Sequence, residues 1–104
     1  MIALDITVKQ DRSVLTVFLK GELDHHTTSK IKDTIDLLIL ESSVKMLVLD
    51  MREVTFMDSS GIGMIAGRYR RVLSFGGSMT IKNANKVISK VLKMSGINKL
   101  MKIS

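Results

Sequence analysis

A chain of 104 residues, 45% hydrophobic and 25% charged, is sized for a single globular domain over 1–104 and lacks the composition of a disordered chain. With no cysteine, disulfide scaffolds, thiolate zinc sites, iron–sulfur clusters and cysteine nucleophiles are all excluded. No apolar run approaches the ~20 residues that span a bilayer. The start, Met-Ile-Ala-Leu-Asp, carries neither the basic region nor the cleavage site of a secretory leader, so a cytoplasmic chain with no membrane contact is expected.

Ile2, Leu4, Ile6 and Val8 alternate with polar residues, which predicts a strand with one buried face. Asp11-Arg12-Ser13 reads as a turn and Val14–Leu19 as the second strand of a hairpin. Gly21 to Thr28 breaks the pattern. Thr27-Thr28-Ser29 then offers caps for a helix with its apolar stripe at Ile31, Ile35, Leu38 and Ile39. Met46–Leu49 is a continuous apolar run, expected as a central parallel strand covered on both faces, and 52–58 as a loop. Ser60–Ser74 carries the cleanest amphipathic pattern, with Ile62, Ile65, Ala66, Tyr69, Val72 and Leu73 on one side and Gly76-Gly77 at its end. Met79–Lys82 reads as a strand. A third helix follows, with its stripe at Val87, Ile88, Val91 and Leu92, a cap at Asn83 or Asn85, and a stop at Gly96. Leu100–Ile103 is a last edge strand. The order β-β-α-β-α-β-α-β predicts an α/β fold: a mixed, mainly parallel sheet of four to five strands with helices packed against it.

The net charge of +6 is unevenly placed: residues 1–58 sum to −3, and 59–104 hold nine basic residues and no acid. A basic half can signal nucleic acid or an anionic surface. Here Lys86, Lys90 and Lys93 follow helical spacing opposite an apolar stripe, and three Phe and one Tyr make no stacking platform. The charge therefore reads as solvated helix faces and a docking surface for an acidic protein, with no direct nucleic-acid partner. A small nucleic-acid-binding protein is the competing class, and duplex binding that falls steeply with salt would favour it.

Gly61-Ile62-Gly63-Met64-Ile65-Ala66 spells a dinucleotide fingerprint on paper, but no strand runs directly into it and no acid follows Asp58, so no cofactor is expected. The three glycines Gly61, Gly63 and Gly67 instead leave one side of a helix bare, where another backbone can approach from within the fold or from a partner. His25 and His26 are adjacent and splay apart, unlike the i, i+4 pair of a helical metal site, so no metal is expected. A Ser59–His25–Asp24 triad lacks a nucleophile elbow, and the chain does not read as an enzyme. Asp58-Ser59-Ser60-Gly61 is the most informative segment. Asp58 or Ser59 can cap the following helix, and a hydroxyl there sits at the positive end of its dipole, with room for a kinase to reach it.

Gly-Glu-Leu-Asp-His-His-Thr at 21–27, Phe-Met-Asp-Ser-Ser-Gly-Ile-Gly at 56–63, Gly-Arg-Tyr at 67–69 and Met-Ser-Gly-Ile at 94–97 resemble the bacterial anti-sigma-factor antagonists, which are single STAS domains. The likeness covers nearly the whole chain, and the double-histidine segment points to the sporulation branch that opposes the anti-sigma F factor. The resemblance implies a protein that, unphosphorylated, binds an anti-sigma factor that is also a serine kinase and so releases the sigma factor. The kinase holds the ATP and phosphorylates Ser59; a separate serine phosphatase resets the switch. Asp24, His25, Asp58, Ser60, Gly61 and Ile62 are expected on the partner-binding surface. Arg68 is expected to project from the exposed side of the helix, outside the core, and to bind the partner, so that its loss weakens binding without unfolding the domain. The alternative class is a STAS scaffold or sensor that releases no sigma factor. Family members usually continue past the last strand with another helix, whereas this sequence stops at Ser104.

Overall fold

The N-terminal alternation forms strand β1 (Asp5–Asp11), paired antiparallel with β2 (Val14–Leu23) in a computed structural model that describes residues 4–104. Arg12 takes the left-handed conformation (φ 57°) that the two-residue connection between Asp11 and Val14 requires. The face expected to be buried is only partly so: Leu4 and Ile6 pack against the core, Val8 is exposed, and Ile2 lies outside the described residues. The reason is position. β1 is an edge strand of a sheet ordered β1-β2-β3-β4-β5 and pairs with β2 alone.

The central strand is longer than its apolar run suggests. β3 (Met46–Met57) continues through the segment expected to be a loop, and β2 continues through Gly21-Glu22-Leu23, where a break was expected. Both departures have one cause. The β2–β3 register shifts between Phe18 and Lys20 and again between Gly21 and Glu22, with the extra residue on β3 each time. Two bulges convert the period-two signature into buried residues at Met51, Val54 and Met57, a spacing of three that hides the strand from a pattern search. Gly21 absorbs the second shift with φ 121°.

Three helices follow as expected: α1 (His25–Glu41), α2 (Ser59–Ser74) and α3 (Lys86–Ser95), with β4 (Ser78–Lys82) between the last two and a two-residue β5 (Lys102–Ile103) at the far edge. β2, β3, β4 and β5 are parallel and in spatial sequence, so right-handed crossovers place all three helices on one face. The cover expected over both faces of β3 is therefore a helical layer on one. Leu15, Val17, Leu19, Leu47, Leu49, Met79 and Ile81 supply the sheet side of the core, and Ile31, Ile35, Ile39, Ile65, Val72, Ile88 and Leu92 the helix side. Gly96 stops α3 in the left-handed conformation (φ 87°), as expected.

Candidate functional site

Parallel strands put the starts of all three helices at one end of the sheet, capped by Asp24, Asp58 and Asn85. The first two caps are neighbours. Leu23 pairs with Met57 across β2 and β3, and the Asp58 amide donates to the Leu23 carbonyl at 3.3 Å. The segments 21–27 and 56–63 thus form one surface.

Asp24, rather than Thr27, Thr28 or Ser29, caps α1. Its carboxylate accepts from the Thr27 amide at 2.9 Å, and its own amide donates to the Thr27 hydroxyl at 3.0 Å. This reciprocal pair is a capping box with threonine at the third position, so the residues expected to cap stand inside the helix. The Thr27 amide holds the Asp24 carboxyl below its ordinary 3.8, against a smaller opposing effect of burial; the Thr27 hydroxyl and His26 add to the lowering. A depressed folded pKa means the cap stabilises at neutral pH and is lost as pH falls from about 3.8 through the folded value. A carboxyl titration by NMR is expected to place Asp24 below 3.8, with Thr27 amide protection lost in the same window. Asp24→Asn should retain the helix and remove that dependence.

Asp58 caps α2 through the Ser60 amide at 2.8 Å. Ser59 is the first residue of the helix and is exposed, and its hydroxyl has no hydrogen-bond partner among the described residues. The site is a free hydroxyl at the positive end of a sixteen-residue helix, flanked by two capping carboxylates. His25 and His26 are both exposed on the first turn of α1. Asp24 is engaged with Thr27, and among the described residues no three His, Asp or Glu converge to hold a metal.

The remaining expectations divide. Ser60 and Ile62 are half-buried, Ile62 against the core. Gly61, expected on the partner surface, is buried: a Cβ there would lie 2.6 Å from Met57 Cγ and 3.1 Å from the Leu23 Cβ and carbonyl oxygen. Its bareness serves the close approach of α2 to the ends of β2 and β3. Gly61→Ala is expected to destabilise by about 1–2 kcal/mol in urea unfolding, since Met57 can yield but the Leu23 backbone cannot. Gly63 and Gly67 differ. A Cβ on either meets nothing within 4 Å. Each glycine costs a helix interior about 1 kcal/mol relative to alanine, and no contact inside the fold requires it.

Arg68 is the clearest correction. It is 8% exposed and points at α1, where its Nε lies 2.7 Å from Asp36 Oδ1; Arg71 Nε reaches the same oxygen at 3.1 Å. Burial pulls the Arg68 guanidinium below the usual arginine range, and the Asp36 carboxylate opposes that shift. α2 packs on β3, β4 and α1 and buries Met64 and Arg68 as well as Ile65 and Val72, so its buried surface is wider than one apolar stripe and leaves Leu73 exposed. A concavity of about 680 Å³ lies away from Ser59, between β1, β2 and β3, where Asp5, Asp50 and Glu53 mix with Lys20 and Arg52.

Residues 5–104 match the STAS domain family model. The anti-sigma F factor antagonist of Paenibacillus polymyxa is 40% identical over 96% of this chain and 86% of its own length, and that of Lysinibacillus sphaericus 32% over 86% and 77%. This chain is a STAS domain of the anti-sigma-factor antagonist family. Among solved structures, the antagonist SpoIIAA in its unphosphorylated form superposes with a TM-score of 0.83 at 29% identity, covering 96% of this chain and 88% of that one. The phosphorylated form of the Bacillus SpoIIAA gives 0.74 at the same identity, covering 96% and 91%.

Two features of this STAS domain escape the reading of its sequence. Asp36 binds two arginines although it sits beside Ile35 of the apolar stripe; Arg68 and Arg71, three apart on α2, are the pattern that could have flagged it. The different roles of Gly61 and of Gly63 and Gly67 depend on helix rotation, which spacing alone does not give.

Proposed function

We propose that this STAS domain is a partner switch: unphosphorylated, it binds an anti-sigma factor that is also an ATP-dependent serine kinase, and thereby frees the sigma factor. The kinase phosphorylates Ser59 and the complex separates; a serine phosphatase restores the binding form. The protein is then a substrate and regulator in the cytoplasm rather than an enzyme, and ATP belongs to its partner. The transcription so controlled is of the sporulation type in this reading, which the likeness to relatives named anti-sigma F factor antagonists supports.

The observation that carries this reading is the exposed Ser59 hydroxyl opening α2 between the neighbouring caps Asp24 and Asp58. A related SpoIIAA has been solved in unphosphorylated and phosphorylated forms, which supports a covalent switch on this fold. Incubation with the cognate anti-sigma kinase and ATP should add one phosphate to the wild type and to Ser60→Ala, and none to Ser59→Ala, as read by intact mass. An unmodified wild type beside a kinase active on its own antagonist would defeat the proposal.

A further inference from the structure

Lys82, Lys86, Lys90, Lys93, Lys99 and Lys102 are the only charged side chains of 82–104, and all six are exposed. None forms an ion pair among the described residues. Lys86, Lys90 and Lys93 lie on one side of α3, where with Ser89 and Met94 they ring a shallow depression of about 400 Å³. Val87 and Met94, at 70% and 79%, are the most exposed large apolar side chains among the described residues. At about 100° per residue the three lysines share an arc of about 60°, and Met94 and Val87 follow on its border. The buried Ile88 and Leu92 occupy the opposite side. One face thus holds the helix to the sheet, and the other sets ammonium groups and bare apolar groups side by side.

We infer that this face of α3 rests on an anionic lipid bilayer, with the three ammonium groups at the phosphate level and Val87 and Met94 dipping into the interface. An acidic protein matches the charge, but protein interfaces favour arginine and aromatic anchors and are poor in lysine. Residues 82–104 contain neither an arginine nor an aromatic. The same lack leaves nothing to stack on a base or to grip its edge bidentately as arginine does. Lysine stems, by contrast, lie along an apolar layer while their heads reach its charged rim. Among the described residues no helix is long and apolar enough to cross a membrane, which bears on crossing and not on surface contact. The expectation of no membrane contact rested on crossing alone and does not hold against this face. Neither Ser59 nor its flanking caps belongs to it, so the inference is independent of the partner switch.

Cosedimentation with vesicles tests the inference, using phosphatidylcholine alone and phosphatidylcholine mixed with the anionic phosphatidylglycerol. Wild type should sediment with the anionic vesicles, come off as salt is raised, and stay in solution with phosphatidylcholine alone. K86Q/K90Q/K93Q should partition about a hundredfold more weakly, roughly fivefold for each lysine. K9Q/K20Q/K45Q removes the same charge elsewhere and should bind within about twofold of wild type. V87S/M94S changes side chains that the core does not use, so it should melt with wild type yet partition about tenfold more weakly. A wild type left in solution with anionic vesicles overturns the inference, and its retention on duplex DNA instead would assign the lysines to nucleic acid. V87S/M94S binding like wild type overturns it as well, since charge alone would then suffice. So does an equal loss in K9Q/K20Q/K45Q, which would make net charge, and not α3, the determinant.

Discussion

Phosphorylation of Ser59 is expected to weaken binding to the anti-sigma factor by roughly 10⁴-fold, the differential of about 5.5 kcal/mol that takes a complex from mostly bound to mostly free. The reason is local. A phosphate brings about −1.5 to −2 charges at neutral pH. It arrives beside Asp58, with Asp24 at the end of the adjacent strand. A helix start would ordinarily offer amides to a phosphate, but the Ser60 amide is already taken by Asp58 at 2.8 Å. The new dianion therefore lacks that partner in its own chain and would be buried against the kinase largely uncompensated, at a cost of several kcal/mol per charge. No change of fold is required. Calorimetry on the homogeneously phosphorylated protein should show the loss, with melting temperature and circular dichroism close to those of the unmodified form. Ser59→Asp, carrying one charge on a shorter arm, should show a smaller loss. A phosphorylated protein that binds within tenfold of the unmodified one would rule out local blocking.

The same geometry shows what a sequence can reveal and where it falls short. The stripe of α1 was legible because the helix buries one face, marked by Ile31, Ile35 and Ile39; that of α3 was legible through Ile88 and Leu92, whereas Val87, expected on it, is 70% exposed because the buried face of this short helix is narrower than its apolar run. Asn85 and Gly96 bound α3 by chemistry local to the residue, a side-chain acceptor at one end and a left-handed backbone at the other. The second half of β3 was not legible, because two bulges replace alternation with a spacing of three. Ser59 stood out through its neighbours in sequence, but that Asp24 and Asp58 share one surface depends on β2 and β3 being adjacent and parallel. Reading the glycines as one group failed for a similar reason. Gly61 faces the ends of β2 and β3, Gly63 and Gly67 face open space, and only the rotation of α2 separates them.

Arg68 gives the sharpest contrast between the two kinds of reading, and its removal is the second large effect expected. Two turns on from Gly61 and outside the apolar stripe, an arginine looks like a surface contact. The fold turns it toward α1 instead, where it and Arg71 share Oδ1 of an Asp36 whose side chain is 19% exposed. Breaking a buried pair from one side costs about 3–5 kcal/mol, because the charge left behind is desolvated and unpaired. Arg71 remains beside Asp36 after Arg68→Ala, but it is half-exposed and solvent screens its contact, so the expected loss is at or just below the low end, about 2–3 kcal/mol. Urea unfolding of Arg68→Ala measures it directly. The double replacement Asp36→Leu/Arg68→Met should recover most of that loss, since apolar groups of similar size remove the stranded charge along with its partner. A double-mutant cycle then separates the pairing from the packing of the arginine's methylenes. Were Arg68→Ala to unfold within about 0.5 kcal/mol of wild type, as surface substitutions do, Arg68 would not be the clamp between α1 and α2. If the expected loss is found, weaker partner binding by an Arg68 variant must first be corrected for the fraction folded before any docking role is read from it.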